Sequence, residues 1–400
     1  MEKQTQGFDH HHPRPTDARR GRLWAVQRPH RYRAPAGLSI PVVTILDRAG
    51  HVLVEEQRAV VRYAAQEGAG ADIIFAVGTT GEWDKLANSQ RQLAARIAVE
   101  ECSRCRRRDG GRVEAWVGIT AHTRAEALEN LAHALEIGAD AAVVAPLSIA
   151  DVEDPVDFIT RDLSRVFERS GRTLPVFLYD NADIAAPGRA PHLHTRDVKT
   201  MSRLPYVSGV KVTAGAAVLG NYTRAASHFR RREFAIYPGN AYLIFDLFMP
   251  SSGFVGLMHG YWNRFLTRSA MPYGVVAGAA NVMPREWQRA WQVCRMGDAA
   301  LIARYGQMME EYRTACDFER AGHAVRPTIA CHKAALRDLG VCTIDAVAPG
   351  TPALDEAERR QFIRRFRDLR RRTAATLESE WLSEWAPAQP PLRRRAYQDA

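Results

Sequence analysis

Lysine is scarce in this chain of 400 residues: Lys3, Lys85, Lys199, Lys211 and Lys333 are its only lysines, and arginine supplies the rest of its 55 basic side chains. Lys211 stands out because it interrupts an apolar, β-rich run, Val-Ser-Gly-Val-Lys-Val-Thr (207–213). Burial opposes the charged ammonium and lowers a lysine's pKa. A neutral ε-amine attacks carbonyl carbons to form a Schiff base, and the protonated imine then draws electrons from the neighbouring bond. Alternatively, such a lysine snorkels from a strand end or pairs with a buried acid, and Lys211 alone leaves both readings open. Its rarity favours the chemical one, since this chain uses arginine wherever only a charge is needed.

Two further groups suit the same chemistry. Gly78-Thr79-Thr80-Gly81-Glu82 directly follows an apolar run. Such a turn offers two hydroxyls and backbone N–H groups to a carboxylate, although glycine and threonine are also ordinary turn formers. Tyr179 closes the run Pro-Val-Phe-Leu-Tyr (175–179). Its phenol both donates and accepts protons, which imine formation requires, or it simply caps an apolar core. A 2-oxo acid carries a carboxylate beside its ketone, so the turn and the lysine could grip one molecule.

These residues need a scaffold that brings distant strand ends together. From residue 38, apolar runs alternate with amphipathic helical patterns. Strands are expected at Ser39–Ile45, Ala71–Val77, Glu114–Thr120, Ala139–Pro146, Leu174–Asp180, Val207–Thr213, Phe234–Tyr237 and Tyr273–Ala280. Their near-continuous hydrophobicity suits strands buried on both faces. Eight such units in about 250 residues imply an α/β fold, a (β/α)8 TIM barrel spanning residues 38–295, with its site at the C-terminal ends of the strands. Gly253–Met258 also reads as a strand; we favour Tyr273–Ala280 as the eighth, leaving an insertion at about 251–270. Residues 1–37 read as a flexible basic arm, 296–377 as a C-terminal helical region and 378–400 as a tail.

Composition narrows the class. The chain is 46% hydrophobic and 25% charged, which is globular rather than disordered. No stretch approaches the ~18 apolar residues that would span a bilayer, so a cytoplasmic protein with no membrane partner is expected. The net charge of +10 concentrates in the ends and at Arg104–Arg108, and reads as solvated surface rather than a nucleic-acid interface. Cys102 and Cys105 form a lone CxxC at a helix end, without a second pair at zinc-binding spacing.

Taken together in this order, the motifs make the sequence resemble the dihydrodipicolinate synthase / N-acetylneuraminate lyase family of Schiff-base aldolases. The resemblance runs from about Ser39 to about Phe366 and includes Gly209-Val210-Lys211 and the late Gly-Val-Val-Ala-Gly-Ala-Ala-Asn-Val-Met-Pro (274–284). It implies that Lys211 forms the imine, that Tyr179 relays protons, and that Thr79 and Thr80, with Gly78, hold a pyruvate-like carboxylate. It also implies a homo-oligomer, typically a tetramer, that needs no metal and no organic cofactor, acting on a 2-oxo acid and an aldehyde.

Departures from the family pattern concern the second substrate. The synthase branch has a carboxylate-binding arginine five residues after the tyrosine; here that position is Ile184, and Arg189 is out of register. Tyrosines usual after the proline of the fourth strand are replaced by Leu147 and Ser148. Thr213 matches a hydroxyl of the sialic-acid lyase branch, whose acidic pair appears here as Asn240 and Ala241. Trp83 and the aromatic-rich insertion suit an aromatic or otherwise apolar aldehyde, and the insertion equally suits a subunit contact alone. The expected function is therefore a Schiff-base lyase or aldolase of pyruvate or a 2-oxo acid. The alternatives are a lysine-pathway synthase, a 2-oxo acid dehydratase, or a pyruvate-binding barrel without turnover.

Overall fold

The apolar runs form eight parallel strands in the computed structural model, which describes residues 32–107, 109–226, 229, 234–250 and 272–384. They are β1 (Leu38–Pro41), β2 (Ile73–Ala76), β3 (Glu114–Gly118), β4 (Ala141–Val144), β5 (Val176–Asn181), β6 (Val207–Thr213), β7 (Ala235–Pro238) and β8 (Val275–Val276). Strand order is sequential from β7 down to β1 and then β8. Between β7 and β8 the Tyr273 N–H donates to the Ile236 carbonyl at 2.9 Å, so the sheet curls into a barrel. An open doubly wound sheet would reverse its strand order at a switch point, which this one never does. The eighth strand is the later of the two candidates. The earlier one lies outside the described residues, as do the proposed insertion, most of the basic arm and the end of the tail.

Helices cover the strands as the amphipathic patterns require. Val54–Ala65, Asn88–Arg104 and Arg124–Glu136 lie between successive strands. Thr123 caps the third, its side-chain oxygen accepting from the Glu126 N–H. Residues 155–170 form one helix broken by a π-turn at Phe158–Asp162. Asn88–Arg104 ends one residue before Cys105, and burial pushes the thiols of Cys102 and Cys105 upward, the opposite of a reactive CxxC pair.

The barrel interior alternates large and small side chains. Phe75, Trp116, Phe177, Tyr179 and Tyr237 pack with Ala141, Val143, Ala235 and Val276. Trp116 stacks on Phe177 with ring centroids 3.9 Å apart. The arm read as ending at Gly37 is anchored earlier than that. Tyr32 meets the barrel at its N-terminal end, where its hydroxyl donates to Glu114 Oε2 at 2.6 Å and its ring meets Phe177 edge-on. An aromatic residue with a hydroxyl can fill an apolar bore and still satisfy a buried carboxylate.

Pro284–Met296 follows β8 as the eighth helix of the barrel, and beyond it Ala299–Ala315, Thr328–Asp338 and Glu356–Glu384 form the C-terminal helices, the last running past the expected tail boundary at 378. A small hairpin, Phe318–Arg320 with His323–Val325, interrupts them. Its turn residues Ala321 and Gly322 both have positive φ, which suits a tight two-residue connection.

Candidate active site at the C-terminal mouth of the barrel

Lys211 lies two residues before the end of β6, in register with Tyr179 of β5 on one side and Tyr237 of β7 on the other. It is 6% exposed. Its Nζ lies 3.6 Å from the centroid of the Tyr179 ring and 5.1 Å from that of Phe75, so aromatic faces line its approach. Gly239, just past β7, leaves the space it needs. A Cβ there would fall 2.0 Å from Thr213 Oγ1 and 3.2 Å from Lys211 Cε.

The Tyr179 hydroxyl is a hydrogen-bond hub. It lies 3.2 Å from Thr79 Oγ1, accepts from Asn181 Nδ2 at 3.1 Å, and accepts from Thr213 Oγ1 at 3.4 Å. Burial pushes its pKa up, but the Lys211 charge and the bonds from Thr213 and Thr79 outweigh burial, and the net displacement is downward from 10.0. The phenol is thus poised as a proton donor and acceptor beside an amine. Asn181 is a member of this network that sequence reasoning missed. Its spacing was the signal: residues two apart on a strand share a face, as Lys211 and Thr213 also do.

The Gly78–Glu82 turn reaches the mouth through a sharp bend. Val77 has φ 59° and Glu82 φ 58°, both left-handed. For a β-branched valine this is a true outlier, worth about 1–3 kcal/mol of strain. The bend aims the Val77 carbonyl at Gly118, where a Cβ would approach to 2.1 Å. Thr44 Oγ1 donates to Gly81 O at 2.8 Å, and Glu82 N–H donates to Thr79 O at 3.0 Å. Thr79 and Thr80 open this short turn, so their N–H groups have no earlier turn carbonyl to bond. Thr79 faces Tyr179. Thr80 Oγ1 faces the loop after β8, 3.8 Å from where a side chain on Gly278 would begin.

Of the residues singled out from sequence, the fold brings Lys211, Tyr179, Thr79 and Thr213 into one cluster, with Gly78 and Thr80 in the adjoining turn. Asn240 follows Gly239 at the end of β7 and joins none of these hydrogen bonds. Ile184 packs against the apolar interior. Arg189 donates from its two terminal nitrogens to the carbonyls of Glu153 and Ala150, both at 3.1 Å, and so braces a loop. Ser148 is buried with Pro146 in the turn after β4. Trp83 is buried and tilts against His122, with ring centroids 5.7 Å apart. Among the described residues, no cluster of His, Cys, Asp or Glu is arranged to hold a metal, and no helix is long and apolar enough to cross a membrane.

A family model described as the dihydrodipicolinate synthetase family matches residues 34–363. The chain belongs to this family. A 4-hydroxy-tetrahydrodipicolinate synthase of Phenylobacterium zucineum (strain HLK1) is 27% identical over 318 residues, covering 79% of this chain and 92% of that protein. The dihydrodipicolinate synthase structure from Bacteroides thetaiotaomicron superposes with a TM-score of 0.67 at 19% identity, covering 84% of this chain and 99% of that one. The Escherichia coli K12 prophage protein YagE, solved in complex with pyruvate, superposes at 0.62 with 23% identity, covering 84% and 98%. The two superpositions establish the shared barrel. Members of the dihydrodipicolinate synthetase family are enzymes, synthases or lyases.

Proposed function

We propose that the protein is a Schiff-base-forming lyase or aldolase of pyruvate or a related 2-oxo acid, with Lys211 as the nucleophile. The observation that carries this reading is the buried Lys211 amine over the ring of Tyr179, whose hydroxyl is bonded to three further polar side chains. The substrate carboxylate is received at the Thr79–Thr80 turn. Lys211 Nζ then attacks the ketone carbon while the carbonyl oxygen takes a proton from Tyr179, and the attacking nitrogen returns its surplus proton to the phenolate, giving a neutral carbinolamine. Tyr179 then protonates the hydroxyl, which leaves as water and gives the iminium. In the cleavage direction, the bond one carbon further breaks: its electrons flow into the iminium to give the enamine, and the departing carbon leaves as an aldehyde while its hydroxyl gives its proton to the Tyr179 phenolate. Protonation of the enamine and hydrolysis release the 2-oxo acid and free Lys211. Positioned proton transfer of this kind contributes about 10²–10⁴-fold.

The second substrate is read as a neutral aldehyde. Ile184 offers no charge to a second carboxylate, and Arg189 is engaged by backbone carbonyls. Synthase activity is the competing reading, because the relatives include 4-hydroxy-tetrahydrodipicolinate synthases. The working unit is taken to be a homo-oligomer, as is typical of the family.

Borohydride reduction in the presence of pyruvate, followed by intact mass, tests the central step. One reduced pyruvyl group per chain is expected, absent in Lys211→Ala. An unmodified wild type, or an adduct that survives in the variant, removes the reading. A panel of apolar, polyol and carboxylated aldehydes, read by product mass, tests the second substrate. Preferential condensation with a carboxylated aldehyde would restore the synthase.

A further inference from the structure

Among the described lysines, Lys211 and Lys333 are the two buried ones. Lys333 takes no part in the chemistry above. It sits on the Thr328–Asp338 helix of the C-terminal region, 0% exposed, and its Nζ donates to Glu82 Oε2 at 2.5 Å and to the Ala346 carbonyl at 2.9 Å. Glu82, 1% exposed, uses its other oxygen to accept the Ala348 N–H at 2.7 Å. Both carboxylate oxygens of Glu82 are therefore held by groups remote in sequence. Ala346, which accepts from Lys333, and Ala348, which donates to Glu82, both belong to the segment between the Thr328–Asp338 and Glu356–Glu384 helices.

Glu82 is also the left-handed residue that ends the Thr79–Thr80 turn, and its own N–H closes that turn onto Thr79 O. A strained conformation persists only where its surroundings over-determine it. Val77 is held at one end by β2; Glu82 is held at the other by Lys333 and Ala348. The neighbouring His332 faces the loop after β8, which Thr80 also faces. Its ring carbon Cε1 lies 3.5 Å from the open side-chain position of Gly278, the same gap that Thr80 Oγ1 borders. A compact ammonium fits two acceptors in a closed space, where the wide planar fork of arginine does not. That accounts for a lysine at this point of an arginine-rich chain.

We propose that Lys333 is a positioning residue: acting through Glu82, it holds the Thr79 and Thr80 hydroxyls in the geometry that receives the carboxylate of the 2-oxo acid. The proposal rests on the Schiff-base reading. It makes the C-terminal helical region a working part of the site rather than an appendage.

The test compares wild type with Lys333→Met and with the double variant Glu82→Gln/Lys333→Met. The double variant leaves no unpaired buried charge and keeps an oxygen for the Ala348 N–H, so it stays folded if the single variant does not. Pyruvate is titrated in the borohydride assay, and amide hydrogen exchange is followed across residues 77–86. In the double variant, the pyruvate concentration for half-trapping rises about tenfold or more, since misplacement by about 1 Å costs up to 10²-fold. Trapping at saturating pyruvate still occurs on Lys211. Exchange in the turn accelerates while that in the Val54–Ala65 and Arg124–Glu136 helices is unchanged. A folded double variant with wild-type half-trapping and wild-type exchange at the turn overturns the proposal and leaves Lys333 a structural anchor. If pyruvate fails to trap the wild type, the Schiff-base reading falls, and the exchange measurement alone decides whether Lys333 holds the turn.

Discussion

At the scale of single residues, the site depends on what surrounds one phenol. Tyr179 is pulled below its ordinary range by Lys211, Thr213 and Thr79, against the effect of burial. It must be protonated to hand a proton to the carbinolamine oxygen. Turnover is therefore expected to fall as pH rises through a value below the usual 10.0 of tyrosine. Tyr179→Phe should abolish that alkaline limb and lower kcat by about 10²–10⁴-fold, leaving slow trapping on Lys211. Asn181→Ala removes a donor that favours the phenolate, so its alkaline limb should move upward. A pH–rate profile of the three proteins checks both statements. An Asn181→Ala limb at the wild-type position would take that residue out of the network.

At the scale of elements, strand ends do the positioning. Thr213 is two residues past Lys211 and Asn181 two past Tyr179, so β5 and β6 each deliver a pair to the same face. The loop after β7 has to pass close by, and Gly239 permits it. Gly239→Ala is expected to displace Thr213 and the Lys211 stem. The overpacking should cost about 1–3 kcal/mol, with kcat/KM falling about 10²-fold. Denaturant melts and steady-state kinetics of the variant measure the two effects separately. Wild-type kinetics would mean that the loop yields instead.

At the scale of the whole molecule, the C-terminal helices carry buried polar groups against the barrel. His332 is 1% exposed, neither of its ring nitrogens has a hydrogen-bond partner among the described residues, and burial lowers its pKa from 6.5 to about 3. Above pH 6.5 the ring is neutral in both folded and unfolded chains and has no effect on pH dependence. Below it, only the unfolded chain takes up the proton, so stability falls as pH decreases toward 3, by about 1.4 kcal/mol per unit. Between pH 7 and pH 5, His332→Leu should lose about 2 kcal/mol less stability than wild type. Denaturant melts at the two pH values give the comparison, and parallel losses would place a charged or solvated imidazole at this position.

Which of two apolar runs is the eighth strand, and that Thr79 rather than Thr80 bonds Tyr179, came only from the structure; read without coordinates, the sequence determined the barrel and singled out Lys211, Tyr179, Thr79 and Thr80. These depend on local signals: apolar runs long enough to be buried on both faces, turn residues directly after them, and a lone lysine inside a strand. Tyr32 was assigned to the arm because nothing local distinguishes a tyrosine that fills a barrel from one in solvent. The roles of Glu82, Lys333 and His332 were decided only by the tertiary structure. Glu82 reads as the last letter of a turn motif and Lys333 as one helical residue among many, 251 positions away. A buried ion pair is a property of two surfaces meeting, and composition and periodicity describe each surface alone. Only closing the barrel and docking the C-terminal helices bring that carboxylate and that ammonium into contact behind the threonines.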